Sequence, residues 1–298
     1  MNFKCGTVSV VGKPNVGKSS LINFLVGQKI SIVSPKPQTT RNNILGIVNK
    51  ENYQIVFVDT PGIHESRTGL DKQMMKSVRS ATDGCDIVLC VIDGSKPITE
   101  SSIKFVTEQV KKELPVIVAI SKIDISTFEK LYPELAELQK VGNVKDFIPY
   151  SSVTGENCDK IEEAIVNLLS ECKKEDALFE NDMITDRSIS FMCSEIVREK
   201  TLLLLNEEVP HGIAVQIVTF KEKSKQAEIN ATIVCDKESH KSIIIGKNGS
   251  MIKKIGTQAR KDIEKLVGKN VVLELWVKVR EGWKNDPSAL AEIYKFEI

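Results

Sequence analysis

At 298 residues, with 41% apolar and 27% charged residues, the chain is too long for one ordinary hydrophobic core and too apolar for a disordered composition, so two compact units are expected. The net charge of +1 conceals an asymmetry: residues 237–284 hold 12 Lys/Arg against 5 acids, a local +7 that leaves −6 for the remainder. That surplus suggests a polyanion partner for the C-terminal part. Without a run near eighteen apolar residues or a basic-then-apolar leader, and with seven irregularly spaced cysteines none of which forms Cys-x-x-Cys, the expectation is a cytoplasmic protein lacking a disulfide framework or zinc site.

Along the chain, Val8–Val11, Ile55–Val58, Ile87–Ile92, Val116–Ile120 and Phe147–Tyr150 are apolar runs of buried-strand length, with helical periods between them. The clearest helix is Asp159–Ser170, where Ile161, Ala164, Ile165, Leu168 and Leu169 share a face. This alternation predicts an α/β domain over residues 1–170, a mainly parallel sheet with helices on both faces, whose ligands bind beyond the strands' carboxyl ends. Residues 171–187 are acidic and weakly periodic, as expected of a linker. From 188 to 298, a helix near Ser188–Leu205, strands at Ile213–Phe220 and Ala227–Cys235, a helix pair flanking Gly246–Gly249 and a strand at Val271–Val279 predict a smaller α+β domain.

Gly12-Lys13-Pro14-Asn15-Val16-Gly17-Lys18-Ser19 matches the phosphate-loop (P-loop) pattern between a predicted strand and a helix starting near Ser20. Its glycines let consecutive amides face a phosphate, Lys18 is expected to bridge the outer phosphates, and Ser19 to ligate magnesium. Asp59-Thr60-Pro61-Gly62 closes a predicted strand, so Asp59 can meet a magnesium-bound water and Gly62 can approach the terminal phosphate. In the polar stretch between these motifs Thr40 is expected to complete the magnesium shell, with Thr39 as competitor.

Ser121-Lys122-Ile123-Asp124 follows the strand Val116–Ile120 and resembles the Asn-Lys-x-Asp base-reading motif of translation-factor-class GTPases. Asp124 can accept from guanine N1–H and its exocyclic amine, a pair of donors that adenine lacks. Ser121 stands where that class has asparagine, and the lost amide is expected to weaken binding by about 1–3 kcal/mol. Ser151-Ser152-Val153-Thr154-Gly155 resembles the class's second base-side loop. Ile63 occupies the place where small signalling GTPases carry a water-orienting glutamine, so slow hydrolysis is expected. GTPases with a hydrophobic residue there include some in which the asparagine matching Asn15 helps bind potassium, and Asn15 is assigned that role as an expectation.

Ile243-Ile244-Ile245-Gly246-Lys247-Asn248-Gly249-Ser250-Met251-Ile252 resembles the KH RNA-binding fold, whose Gly-x-x-Gly turn clamps about four nucleotides. The resemblance implies RNA contacts from Gly246, Lys247, Asn248 and Gly249, followed by Lys253 and Lys254, with the isoleucines as an apolar floor. Trp276 and Trp283 are expected to be core or edge packing. Both units together, with Ile184–Ser188, Ser194–Lys200 and Leu273–Val279, resemble the Era family of bacterial GTPases nearly end to end. That resemblance implies a Ras-like domain followed by a KH domain, binding of GTP, GDP and Mg2+, and binding to small-subunit ribosomal RNA near its 3′ end during subunit assembly. It also implies peripheral association with the cell membrane; a monomer is expected. A passive RNA-binding scaffold with a weakly active nucleotide domain is the rival reading, favoured by Ser121 and Ile63.

Overall fold

The computed structural model describes residues 3–63, 65–111, 113–126, 136, 138–142 and 144–294. They form two compact units. The first takes the described residues through Ser31, those from Thr40 to Ile63 and those from Met74 to Asp186; the second takes Ile32–Thr39, Glu65–Gln73 and the described residues from Arg187 onward. Two short excursions of the N-terminal sequence thus belong to the C-terminal unit.

In the first unit β1 (Phe3–Gly12), β3 (Tyr53–Asp59), β4 (Ile87–Asp93), β5 (Val116–Ser121) and β6 (Val144–Pro149) are parallel, and β2 (Ile44–Asn49) runs antiparallel to β3 at the edge, in the order β2-β3-β1-β4-β5-β6. The apolar runs read from sequence are the strand interiors: Val8, Val10, Val88, Leu89, Ile117 and Val118 are fully buried. Unbroken rather than alternating hydrophobicity is what a sheet covered on both faces requires. Helices α1 (Lys18–Val26), α2 (Gly69–Asp83, of which the residues from Met74 on belong to this unit), α3 (Glu100–Val110) and α4 (Cys158–Leu168) follow strands in the crossover pattern.

The stretch 171–187, expected to be a linker, is tied to this sheet through Asp186. Glu171–Cys172 form β7, antiparallel to the start of β1. Gln54 accepts from the Phe179 amide at 3.0 Å and donates to its carbonyl at 2.8 Å. The Ile47 amide donates to the Ile184 carbonyl at 2.9 Å, and the Leu45 amide to Asp186 Oδ1 at 3.1 Å. The segment therefore caps the open edge of β2, whose backbone groups would otherwise be left exposed.

In the second unit α5 (Ile189–Leu204), β8 (Ile213–Glu222), β9 (Gln226–Cys235), α6 (Glu238–Ile245), α7 (Ser250–Val267) and β10 (Asn270–Val279) give an α-β-β-α-α-β order, and α8 (Pro287–Tyr294) follows. The sheet order is β10-β9-β8, with β9 and β10 parallel and β8 antiparallel. Ile196, Val197, Ile229, Ile233, Ile244, Ile255, Ala259 and Ile263 form the core. Trp283 is buried and donates from Nε1 to the Gly212 carbonyl at 3.2 Å, whereas Trp276 lies on edge strand β10 with 64% of its surface exposed.

Candidate nucleotide site and RNA-binding groove

Gly12, the last residue of β1, leaves no room for a side chain, since a Cβ there would meet the Val91 carbonyl at 2.5 Å. The loop then curls through two left-handed residues, Asn15 (φ 62°) and Gly17 (φ 103°), before α1 begins at Lys18. Asparagine tolerates that conformation better than most side chains. Pro14 and Val16 complete the loop, Ser20 lies in the first turn of α1, and Lys13 donates to Ser101 Oγ at 2.7 Å. Lys18 is buried, donating to the Gly12 and Lys13 carbonyls at 3.2 and 3.0 Å. Burial pushes its ammonium down to about 8, against the pull of Asp59.

Ser19, Thr40 and Asp59 converge. Ser19 Oγ lies 2.9 Å from Thr40 Oγ1 and donates to Asp59 Oδ2 at 2.7 Å. Asp59 is fully buried, burial raises its pKa against the stabilising pull of Ser19 and Lys18, and its buried Oδ1 finds no hydrogen-bond partner among the described residues. Two hydroxyls and a buried carboxylate beside a phosphate-binding lysine are a donor set suited to a hard, oxygen-seeking cation such as Mg2+. Of the two threonines, Thr40 faces Ser19, whereas the Thr39 hydroxyl bonds to the Lys36 carbonyl at 2.6 Å.

Thr60 is buried, with its hydroxyl donating to the Val10 carbonyl at 2.6 Å, which fixes the exit of β3 against β1. Pro61 is buried after it. Gly62 is needed for close approach: a Cβ there would fall 2.7 Å from Pro14 Cα. The Ile63 amide donates to the Gly12 carbonyl at 3.1 Å, and its side chain packs against the apolar cluster of Val11, Val88, Ile98 and Val106.

On the base side, the lost tie expected at Ser121 is replaced. The hydroxyl donates to the Val16 carbonyl at 2.6 Å and lies 3.0 Å from that of Ile92, so serine spans from β5 to the P-loop directly. Lys122, at φ 62°, donates to the Asn15 carbonyl at 2.9 Å and pairs with Asp93 Oδ2 at 2.7 Å. Burial would raise Asp93, but the Lys122 ammonium and Ser95 outweigh it and hold the carboxyl below its ordinary value. Ile123 and Asp124 begin a short 3-10 turn in which Asp124 is exposed. The Ile123 amide reaches the Tyr150 carbonyl at 3.4 Å, which brings the turn to the loop where Ser151 Oγ accepts from the Val153 and Thr154 amides at 3.2 Å, Ser152 lying between. Sequence reasoning missed Asp93 and Tyr150. Asp93 had a signal, an acid at the tip of an apolar strand; Tyr150, buried beside Ser121, had none.

In the second unit Gly246 (φ 73°) and Gly249 (φ 74°) flank Lys247 and Asn248, both exposed, and a Cβ at Gly246 would meet Met251 Cβ at 2.7 Å. Lys253 and Lys254 are exposed on α7. Beside them a groove of about 390 Å³ runs between α7 and β10, lined by Ile252, Lys253, Gly256, Arg260, Leu273 and Leu275 among others. Of the isoleucines expected to form an apolar floor, Ile244 is wholly in the core, Ile243 is exposed, and Ile252 lines the groove together with Leu273 and Leu275. Arg260, which lines this groove, lies about three helical turns past Gly249.

Residues 7–122 match the model of a family described as 50S ribosome-binding GTPase, and residues 208–284 match the KH domain. The chain is 43% identical over 291 residues to the GTPase Era of Clostridium acetobutylicum, with 98% of this chain and 97% of the relative covered. It is 44% identical to that of Clostridium kluyveri, with 98% and 99% covered. Among solved structures, it resembles Era in complex with MgGDPNP and nucleotides 1506–1542 of 16S ribosomal RNA at a TM-score of 0.92 and 38% identity, with 98% and 99% covered. A point variant of Aquifex aeolicus Era bound to GDP and aluminium fluoride gives the same TM-score, identity and coverage.

Proposed function

The chain belongs to the Era family of GTPases, and from that membership we propose that it is a guanine-nucleotide switch that binds small-subunit ribosomal RNA near its 3′ end and acts in small-subunit assembly. The observation that carries the nucleotide half is the convergence of Ser19, Thr40 and Asp59 beside buried Lys18. Lys18 meets the outer phosphates as a point charge, the backbone amides of the loop from Asn15 to Ser20 cradle them, and Asp124 with Lys122, Ile123, Ser151 and Ser152 holds the guanine. Ser19, Thr40 and Asp59 would hold magnesium, which would offset phosphate charge.

Slow turnover follows from Ile63, which sits in an apolar cluster and offers no group to orient water. The place of Asn15 in the phosphate loop supports assistance by K+, whose charge would do part of what an arginine finger does elsewhere. The RNA half rests on the Gly246–Gly249 turn, with Lys247, Asn248, Lys253 and Lys254 exposed beside a groove of about 390 Å³. The 16S segment in the complex of the relative favours the small subunit as the partner. A cytoplasmic monomer with peripheral attachment to the inner membrane face is a further part of the reading, supported by the family resemblance and by the basic surplus over 237–284.

Phosphate release from GTP with Mg2+, in K+ and separately in Na+, tests the enzyme. Faster release in K+ is expected, and equal rates remove the potassium role. No release in either salt leaves the passive scaffold.

A further inference from the structure

The seven cysteines have no spacing that pairs them in the sequence, yet the fold of the first unit brings two of them together across 167 residues. Cys5 lies in β1 and Cys172 in β7, with Phe3 opposite Cys172 and Lys4 opposite Glu171 in the antiparallel ladder. The Cys5 amide donates to the Ser170 carbonyl at 3.4 Å and carries the ladder one step further. Because side chains alternate along a strand, Cys5 and Cys172 point to one face as diagonal neighbours. The Cys172 thiol donates to Cys5 Sγ at 2.9 Å, and the Cys5 thiol lies 3.9 Å from the Asp176 carbonyl. A disulfide holds its sulfurs about 2.05 Å apart, so a small closure converts this contact into a bond with the ladder in its present register.

Access singles out the same pair. Cys5 and Cys172 are partly exposed, whereas Cys85, Cys90, Cys158, Cys193 and Cys235 are buried, so a small oxidant in solvent meets these two sulfurs first. Burial, and then the adjoining Cys172 sulfur, pushes the Cys5 thiol up to about 11, so Cys5 keeps its proton at neutral pH. The pair also sits at the root of the strap that caps β2. After β7 this strap meets the sheet at Gln54 through Phe179, at Asn49 through the Met183 carbonyl at 2.9 Å, and at Ile47 through Ile184. The fastening at its root is a ladder of two residue pairs, short enough to open locally.

We propose that Cys5 and Cys172 form a modification site for hydroperoxides, at which a reversible disulfide fastens β7, and with it the root of the strap, to β1. The inference stands apart from the nucleotide and RNA readings. The Cys172 sulfur, its proton lost to solvent, attacks one oxygen of hydrogen peroxide. The O–O bond breaks, Cys172 becomes a sulfenic acid, and the hydroxide released takes up a proton to give water. The Cys5 sulfur then attacks the sulfenic sulfur; the S–O bond breaks and the hydroxyl leaves as a second water with the Cys5 proton. Two thiols are oxidised to one disulfide and one peroxide is reduced to two waters. The bond closes a ring from residue 5 to residue 172, which restricts the unfolded chain and steadies the strap.

The test treats the full, reduced chain with hydrogen peroxide and maps its cysteines by peptide mass spectrometry. Two of the seven thiols are expected to disappear, with a mass loss of two hydrogens and a cross-linked peptide that joins Cys5 to Cys172. Dithiothreitol is expected to restore both thiols by exchange. In Cys5→Ser, Cys172 is expected to stop at the sulfenic acid, which a cyclic-dione probe captures; in Cys172→Ser, Cys5 is expected to stay reduced. Mapping the wild-type cross-link needs neither variant, so a serine variant that fails to fold leaves the test intact. In the oxidised chain the amides of residues 171–186 are expected to exchange about tenfold more slowly than in the reduced chain, with α1 unchanged. A cross-link elsewhere or between chains, earlier oxidation of a buried cysteine, or Cys172 driven to sulfinic acid with Cys5 still a thiol overturns the proposal. A disulfide that forms while exchange over 171–186 stays the same overturns the fastening of the strap.

Discussion

Ser121 Oγ donates to the Val16 carbonyl at 2.6 Å, which bridges the base-side strand to the phosphate loop with a hydroxyl where an amide is usual. Both groups are buried, so losing the donor leaves the Val16 carbonyl short of a partner. Ser121→Ala is expected to weaken GDP binding about five- to tenfold, roughly 1 kcal/mol, in a fluorescent-nucleotide titration. Ser121→Asn, which restores a side-chain donor, is expected to stay within about twofold of wild type.

Lys18 sets a pH dependence. In the nucleotide-free chain burial pushes its ammonium down to about 8, so its charge is present below that pH and lost above it. Bound phosphates hold the proton, so nucleotide affinity is expected to be flat from pH 7 to 8 and then to fall by up to about tenfold per pH unit. Folding of the nucleotide-free chain moves the other way. The unfolded lysine keeps its proton to 10.5 while the folded one releases it near 8, so this residue's contribution to stability rises with pH across that window. Titrating labelled GDP from pH 7 to 9 checks the first statement, and a flat profile would refute it.

Asp124 lies exposed at the start of a 3-10 turn that Lys122 anchors through Asp93 and the Asn15 carbonyl. Its carboxylate can accept both guanine donors, and an amide cannot. Asp124→Asn is expected to lower GTP affinity about 100-fold or more and to raise affinity for xanthosine triphosphate, whose carbonyl faces the new amide donor. Competition between the two nucleotides for the variant decides the matter, because unchanged preference would place the base elsewhere.

What the sequence disclosed and what it withheld divide along a physical line. Phosphate binding requires contiguous backbone, so Gly12–Ser19 and the Gly246–Gly249 turn are readable as strings, and fully buried strands such as Val116–Ile120 are readable as apolar runs. Strand β2, Ile44–Asn49, is an edge whose pairing is settled by backbone bonds to β3 and Ile184, and such bonds carry no side-chain signature. The same holds for the acidic stretch to Asp186, whose composition suggests a linker while its amides and carbonyls bind the sheet. Thr40 could not be told from Thr39, since adjacent residues differ only in which way each hydroxyl turns. Arg260 and Asp93 are single side chains at positions set by tertiary packing.

Lys247 and Arg260 should separate two modes of RNA contact. Lys247 is exposed within the Gly246–Gly249 turn, where a phosphate can come close, and Arg260 lines the groove between α7 and β10 together with Leu273 and Leu275. Lys247→Ala is expected to weaken binding to all single-stranded sequences alike and to lower the slope of log affinity against log salt by about 0.7–1. Arg260→Ala, if its guanidinium plane stacks on a base, is expected to cost about 1–3 kcal/mol on the preferred sequence and much less on a scrambled one. Gly246→Ala combines strain at φ 73° with the collision at Met251 and is expected to abolish RNA binding while leaving GDP affinity unchanged. Titrations of the three variants with matched and scrambled oligonucleotides, each at three salt concentrations, check all of this. Equal slopes for wild type and Lys247→Ala would move the phosphate contact away from the turn.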